Sequence, residues 1–443
     1  MRIRVEAQLP TSILLSQRDA IAVAKPASLR RNVAWTLTGN LAYAGCQWLM
    51  LVMLTKLTNA TMVGQFGLGL AITAPVFQFS NLNLRAVQVT DARHEYRFDQ
   101  YLGVRLISTA IGFLGVAAFA FVGGHSLRTS LVVLLVGVAK SVECLSDVFQ
   151  GLFQRHEQMD RASKSMMYKA LASVAAIAVA LAVFHDVLIS TAALAGAWLC
   201  VFLAYDVTRA KCVLAKWAGR IRPSFSLHVF RRLVVLALPL GFVMMLLSLN
   251  ANLPRYFLEM HSGERQLGIF SALVYCMVAG NTVVTAMGQS ASPRLANYYA
   301  AGEMRLFRRL LLRLLLLAGG IGAAGVIAAV TAGRPLLTFL YRPEYAAHTD
   351  TFISLMVAGA VANISAILGV AMTAMRSFKP QAWIHAACTL LGVAACTILV
   401  PRMGLLGAAF VVVILSTAAM IGFAWRLLAT LHATDRLEAS GLR

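Results

Sequence analysis

Apolar residues run in stretches of about twenty along nearly the whole chain, and the polar residues between them fall in short clusters. Twelve such stretches can be delimited, at 33–56, 65–89, 101–122, 131–153, 166–184, 187–207, 233–253, 267–290, 311–330, 351–375, 381–400 and 404–426. A helix of about 20 residues crosses the roughly 30 Å hydrocarbon core of a bilayer. Only helices and closed barrels satisfy their backbone hydrogen bonds there. The pattern therefore predicts an all-α polytopic membrane protein with about 12 transmembrane helices.

Composition agrees, with 59% hydrophobic and 13% charged residues, against roughly 45–50% apolar content in soluble domains. A formal net charge of +21 raises the question of nucleic acid, and the placement of the cations answers it. Of the 39 Lys and Arg residues, Lys56, Arg128, Arg255, Arg265, Arg334, Arg342 and Arg402 lie on one side of the predicted spans and Lys140 lies within one. The other 31 lie in or beside the termini and alternate loops. That is a positive-inside pattern, so the basicity reports topology: both termini are expected in the cytoplasm, with membrane lipids rather than nucleic acid as neighbours. Seven cysteines show no C-x-x-C or metal spacing, and neither disulfides nor a cofactor are expected.

The hydrophilic stretch at 208–232 divides the chain. The expected organisation is a cytoplasmic tail (1–28), a lobe of six helices (29–208), a basic linker (209–232), a second lobe of six helices (233–430) and a tail (431–443). Each half opens on an Arg pair, "RRNVAW" and "RRLVVL". "VGQFGLG" at 63–69 aligns with "LGIFSAL" at 267–273 at an offset of 204, and the arginines eight apart in "YRFDQYLGVRL" and "MRLFRRLLLRL" at an offset of 208. An even number of helices per repeat inserts both copies the same way up, so the halves should be related by an axis along the membrane normal, with a substrate site between them.

Charge inside the membrane marks where that site would be. Lys140 sits nine residues into the fourth stretch, about 14 Å deep, where insertion costs about 2.5–3.5 kcal/mol unless the side chain faces protein or water. Glu143 and Asp147 follow on the same helical face. Two readings stay open: a structural Lys140–Glu143 pair with Asp147 near the interface, or a wet cavity in which Lys140 meets an anion while a carboxylate exchanges H⁺ or Na⁺. Arg85 lies among Asn81, Asn83 and Gln88, either snorkelling or facing the cavity. Asn32, Thr36, Asn40, Tyr43 and Gln47 form a stripe on the first helix, as a cavity lining or as interhelical glue. Pro239, Gly241 and Pro254 predict bends in the seventh, with Asn250, Asn252 and Arg255 around the outer one. The eighth carries Asn281, Thr282, Thr285 and Gln289, then Pro293 and Arg294. Helices 5, 6, 9, 11 and 12 read as close to uniformly apolar. "GGIGAAG" at 319–325 follows no strand and reads as close helix packing.

The stretches "RRNVAWTLTGNLAYAGCQWLMLVMLTKL", "VGQFGLGLAITAPVF", "NLNLRAVQVTDAR" and "LSLNANLPRYFLE" with "LGIFSALVY" resemble Wzx-type bacterial polysaccharide flippases of the multidrug/oligosaccharidyl-lipid/polysaccharide (MOP) exporter superfamily, over residues 29–430. The resemblance implies a V-shaped, MATE-like pair of six-helix lobes in the bacterial inner membrane. The implied activity is ion-coupled transfer of an undecaprenyl-pyrophosphate-linked oligosaccharide to the periplasmic leaflet, with other polysaccharide-export proteins as partners. Carried onto this chain, it assigns the anionic headgroup to Arg85, Lys140, Arg255 and Arg294, and the sugar to Asn40, Gln47, Asn81, Asn250, Asn252 and Asn281. Glu143 and Asp147 become candidates for the coupling ion. A multidrug antiporter, which needs a net acidic cavity, is the alternative within the superfamily. A membrane polymerase or lipid-sugar transferase would need outer catalytic residues, for which Arg342, Glu344 and Asp350 are the one candidate group.

Overall fold

The computed structural model describes residues 29–91, 95–215, 221–375 and 377–439. The expected N-terminal tail, the centre of the basic linker and the last four residues lie outside them. Helices occupy almost everything else: α1 (Leu29–Leu57), α2 (Ala60–Ser80), α3 (Leu84–Thr90), α4 (Phe98–Val122), α5 (Leu127–Arg155), α6 (Met159–Phe184) and α7 (Val187–Val201). The π-helical turn Phe202–Val207 then leads into α8 (Thr208–Ala215), followed by α9 (Leu227–Ala300), α10 (Met304–Leu340), α11 (Pro343–Ala346), α12 (Thr349–Ala374) and α13 (Phe378–Ala439). Among the described residues there is no strand, and nine helical stretches are long and apolar enough to cross a membrane. α5, 29 residues long, carries Lys140, Glu143 and Asp147 and falls outside that apolar group.

The starts follow capping chemistry. The side chains of Asn59, Ser126 and Asp186 accept from backbone N–H groups of the first turns of α2, α5 and α7, satisfying donors that a helix leaves orphaned. The two longest helices are each two arms meeting at a glycine with positive φ, Gly263 at 77° in α9 and Gly404 at 55° in α13. That backbone conformation is open to glycine at little cost.

The structure refines three expectations. The backbone stays helical through Pro239 and Pro254, and the non-helical residue within α9 is Gly263. The second helix starts earlier, at Ala60, and breaks at Leu82 and Asn83, with φ of 51° and 46°. α3 follows that break, and its Arg85 reaches α5. Of the 319–325 glycines, Gly322 and Gly325 do pack closely, against Ala360 and Met356, whereas a Cβ on Gly320 would meet nothing within 4 Å.

The weak internal repeat has a physical counterpart. A Cβ on Gly64 would lie 1.8 Å from the carbonyl oxygen of Glu264, and one on Gly268 would lie 1.9 Å from that of Ala60. A Cβ on Gly67 would lie 2.8 Å from the Ser271 side-chain Oγ. Residues 60, 64 and 67 are each 204 positions before 264, 268 and 271, so the contact is reciprocal, as a two-fold axis requires. Small residues at these positions let the two backbones touch, and α9 packs more extensively on α2 than on any other helix.

Candidate functional site

α5 is the hub of the first half. Its residues 140, 143, 146, 147, 150 and 154 recur at helical spacing and between them reach α1, α3, α4, α6, α7 and the π-helical turn. Lys140 Nζ donates to Glu143 Oε2 at 2.6 Å and lies 5.7 Å from the Trp198 ring of α7. Tyr43 of α1 donates its hydroxyl to Glu143 Oε1 at 2.7 Å. One turn on, Asp147 is held by two arginines, Arg85 of α3 at 3.3 Å and Arg105 of α4 at 3.1 Å. Arg85 also donates to Gln150 and Gln154, each at 3.0 Å, and Arg105, with 0% of its side chain exposed, donates to Asn81.

The apolar reading of helices 5 and 6 is overturned. Lys169 of α6 and Asp206 of the π-helical turn form an ion pair at 2.9 Å, 3% and 0% exposed, with Ser146 of α5 bonded to both. The sequence signal was one charge inside each predicted stretch, masked by their length and hydropathy.

The second half contributes a different kind of charge. Arg255 donates to Asn252 Oδ1 at 2.6 Å, its Nε is buried without a partner, and no carboxylate pairs with it among the described residues. Asn252 Nδ2 donates to Ser248 O, and Asn250 Nδ2 to His385 O at 3.0 Å, placing both amides inside the second half. Gln47 lies one turn from Tyr43 on α1. Arg294 is exposed and outside this group.

A cleft of ≈ 380 Å³ opens between α1 and the second arm of α9, lined by Asn40, Asn281, Thr282, Thr285 and Gln289 with Leu37, Leu41 and Val278. Asn40 precedes Tyr43 by one turn, so the charged cluster borders the cleft. The lining offers amide and hydroxyl groups without net charge, suited to hydroxyl-rich ligands. The opposite end of the same helices is shut by the reciprocal glycine contact, by Arg342 donating to Lys56 O at 2.9 Å, and by His125 against Glu259 at 3.3 Å. In the first half, the buried Arg105 and Lys169 and the partly buried Arg85 and Lys140 face the buried Asp206 and the partly buried Glu143 and Asp147. Cations are one in excess there, and Arg255 adds another.

Paired helical halves with a polar cleft between them and buried charge at its edge define a membrane transporter fold of the MATE and MOP kind. The chain belongs to the polysaccharide biosynthesis protein family, whose model matches residues 29–299. It is 27% identical over 400 residues, 89% of this chain and 98% of the other, to the capsular polysaccharide biosynthesis protein CapF of Staphylococcus aureus. Among solved structures it is similar to an inward-facing multidrug resistance MATE transporter of the MOP superfamily, with a TM-score of 0.63 and 14% identity over 96% of this chain and 99% of that one. It is also similar to a MOP superfamily transporter from Pyrococcus furiosus, described as having a binding pocket of reverse polarity, with a TM-score of 0.60 and 14% identity over 93% and 97% of the two chains.

Proposed function

We propose that this protein is a flippase that carries a polyprenyl-pyrophosphate-linked oligosaccharide from the cytoplasmic to the periplasmic leaflet of a bacterial inner membrane, in surface polysaccharide synthesis. In this reading the arms on either side of Gly263 and Gly404 cross the membrane separately and α5 crosses with them, for 12 crossings in two lobes of six. The positive-inside distribution of cations supports termini and an open cleft on the cytoplasmic side. The glycan takes the neutral cleft between Asn40 and Asn281, and the lipid tail stays in the bilayer.

The observation that carries the reading is the uncompensated Arg255. A buried cation without a counter-ion is costly and is retained where an anion will meet it. An organic-cation antiporter requires the opposite, a carboxylate left over, and here Glu143 and Asp147 are each held by cations. Arg85 and Lys140 are already paired with carboxylates, so an anion reaches them only by displacing Asp147 or Glu143. Arg255 is therefore the cation left free to hold the pyrophosphate.

Arg255→Gln tests this in proteoliposomes loaded with labelled undecaprenyl-pyrophosphate oligosaccharide. Losing a charge contact near 4 Å at an effective dielectric of about 20 forfeits up to about 4 kcal/mol. The expected result is at least a tenfold fall in transfer rate at limiting substrate, with Arg255→Lys intermediate and folding unchanged. Wild-type transfer by a folded Arg255→Gln protein would refute the assignment.

A further inference from the structure

At the closed end, three segments of the second half meet around a pocket of ≈ 460 Å³. They are the glycine breaks, at Gly263 in α9 and Gly404 in α13, and the first turn of α12. The breaks face one another, with Ser262 Oγ 3.9 Å from where a Cβ on Gly404 would stand. Ser262, Gln266, His348 and Thr351 supply the polar groups of the pocket, and Met403, Leu405 and Leu406 its apolar surface. Glu264 lies between Ser262 and Gln266 in sequence but reaches into the first half, where Gln65 donates to its carboxylate at 3.1 Å and Thr129 donates as well.

None of the four polar side chains makes a hydrogen bond to another group among the described residues. Thr351 is the sharpest case. It is 4% exposed, and a helical threonine satisfies itself by donating to the carbonyl three or four residues back, as Thr331, Thr338 and Thr389 do in this chain at 2.8, 2.9 and 2.9 Å. The Thr351 hydroxyl does not, and it borders the pocket instead. Gln266 Oε1 is buried with no partner as well. Buried polar groups without partners are costly and rare in folded proteins, so two around one cavity mark a place where a ligand supplies the missing bonds.

The lining states what kind of ligand that is. Hydroxyl, amide and neutral imidazole groups each donate and accept, as a sugar hydroxyl requires of its partners. His348 stays neutral because burial, and then the Arg265 guanidinium, lower its pKa from 6.5. No charged side chain is among the lining residues, so neither an ion nor a phosphate would find a countercharge there. The apolar side chains suit the C–H face of a sugar ring, and the volume falls within the roughly 300–1,000 Å³ of small-ligand pockets.

We propose that this pocket is a second glycan site, which takes a neutral sugar residue of the oligosaccharide on the side where the cleft is shut. This rests on the flippase reading, in which that side is the periplasm and the sugar is cargo already delivered. All of the lining belongs to the second half, so binding does not depend on the contact between halves. The consequence is retention: a delivered chain stays bound at the periplasmic face after its pyrophosphate has left Arg255.

The test is protection of the pocket from labelling. Ser262→Cys and, in a second protein, Met403→Cys are placed in the purified full-length chain from which the seven native cysteines are removed. Alkylation by a charged maleimide is timed with and without neutral oligosaccharides cut by mild acid from the surface polysaccharide of the bacterium that carries the protein. The expected result is saturable slowing at both positions and none at Met260→Cys, at the same end and 72% exposed. Thr351→Val should raise the midpoint roughly tenfold, the factor for about one lost hydrogen bond, and Thr351→Ser, which keeps the hydroxyl, should leave it unchanged. No slowing at either position, equal slowing at Met260→Cys, or an unchanged midpoint in Thr351→Val would overturn the site. The polyprenyl-pyrophosphate-linked form should protect as well; if it alone protects, the contact is with lipid or phosphate and the sugar assignment is wrong. Transfer in proteoliposomes separates the two readings. Protection without transfer would refute the flippase and leave the site, and transfer without protection would do the reverse.

Discussion

Gly64→Ala should prop the outer end open. The new Cβ would fall 1.8 Å from the carbonyl oxygen of Glu264 and 2.6 Å from its carbonyl carbon, where contacts near 3.5 Å are normal. Both atoms are backbone, so no side chain can rotate away, and the halves must separate by about 1.5 Å or more at this point. Overpacking of this kind costs about 1–3 kcal/mol, and a pair of immobile atoms puts it at the upper end. At 1.4 kcal/mol per factor of ten, about 3 kcal/mol shifts the closed-to-open ratio roughly 100-fold. The helix-propensity gain of Ala over Gly, about 1 kcal/mol, applies to both states and cancels.

The assay is a distance between spin labels at Leu127→Cys and Met260→Cys, 69% and 72% exposed at the same end of the two halves, in a background from which the seven native cysteines are removed. A longer population should dominate in Gly64→Ala and, because the contact is reciprocal, in Gly268→Ala. Gly319→Ala, whose Cβ meets nothing within 4 Å, should leave the distribution unchanged. An unaltered distance in folded Gly64→Ala protein would refute the claim that this contact is the closure.

Three further outcomes follow from the buried charges and one loop. Asp147→Asn leaves Arg85 and Arg105 without their carboxylate and should cost about 3–5 kcal/mol, seen as a large fall in thermal stability, whereas retained stability would mean that the arginines find other partners. Lys169→Met and Asp206→Leu should each destabilise by a similar amount, and the double variant, with no orphaned charge, should recover most of it; an additive double variant would show that the pair is not coupled. His348, in the loop before α12, has its pKa lowered from 6.5 by burial and then by Arg265. The folded state therefore resists protonation more than the unfolded chain does. Its contribution to stability is complete above about pH 6.5 and is lost as pH falls toward the lower folded value; melting of His348→Gln should lack that acid-side decline.

Much of the site was legible in residue types. Lys140, Glu143 and Asp147 announce themselves because nothing else in an apolar stretch explains a charge, and Asn40 of the α1 stripe lines the cleft shared with the second half. Arg105 is counted among the cations beside the loops, four residues into the stretch 101–122, since snorkelling and burial look alike when only distance from a predicted boundary is known. Lys169 and Asp206 were hidden for the same reason, each near the end of an apolar run. Glu264 was invisible, because a carboxylate beside a predicted loop looks solvated until a second body packs against it.

Membrane residence and helical class are set by local quantities: runs of apolar residues long enough for a bilayer, and polar clusters short enough to connect them. These need no partner elsewhere in the chain, so the amino-acid order alone determines them. The pairing of charges depends on which helices lie side by side. Glycines 204 positions apart touch at one point, Arg85 past the break at Leu82 and Asn83 meets Asp147, and Arg255 is left without a counter-ion; only the tertiary arrangement decides these, because Coulombic and packing energies act over a few ångströms of space whatever the separation along the chain.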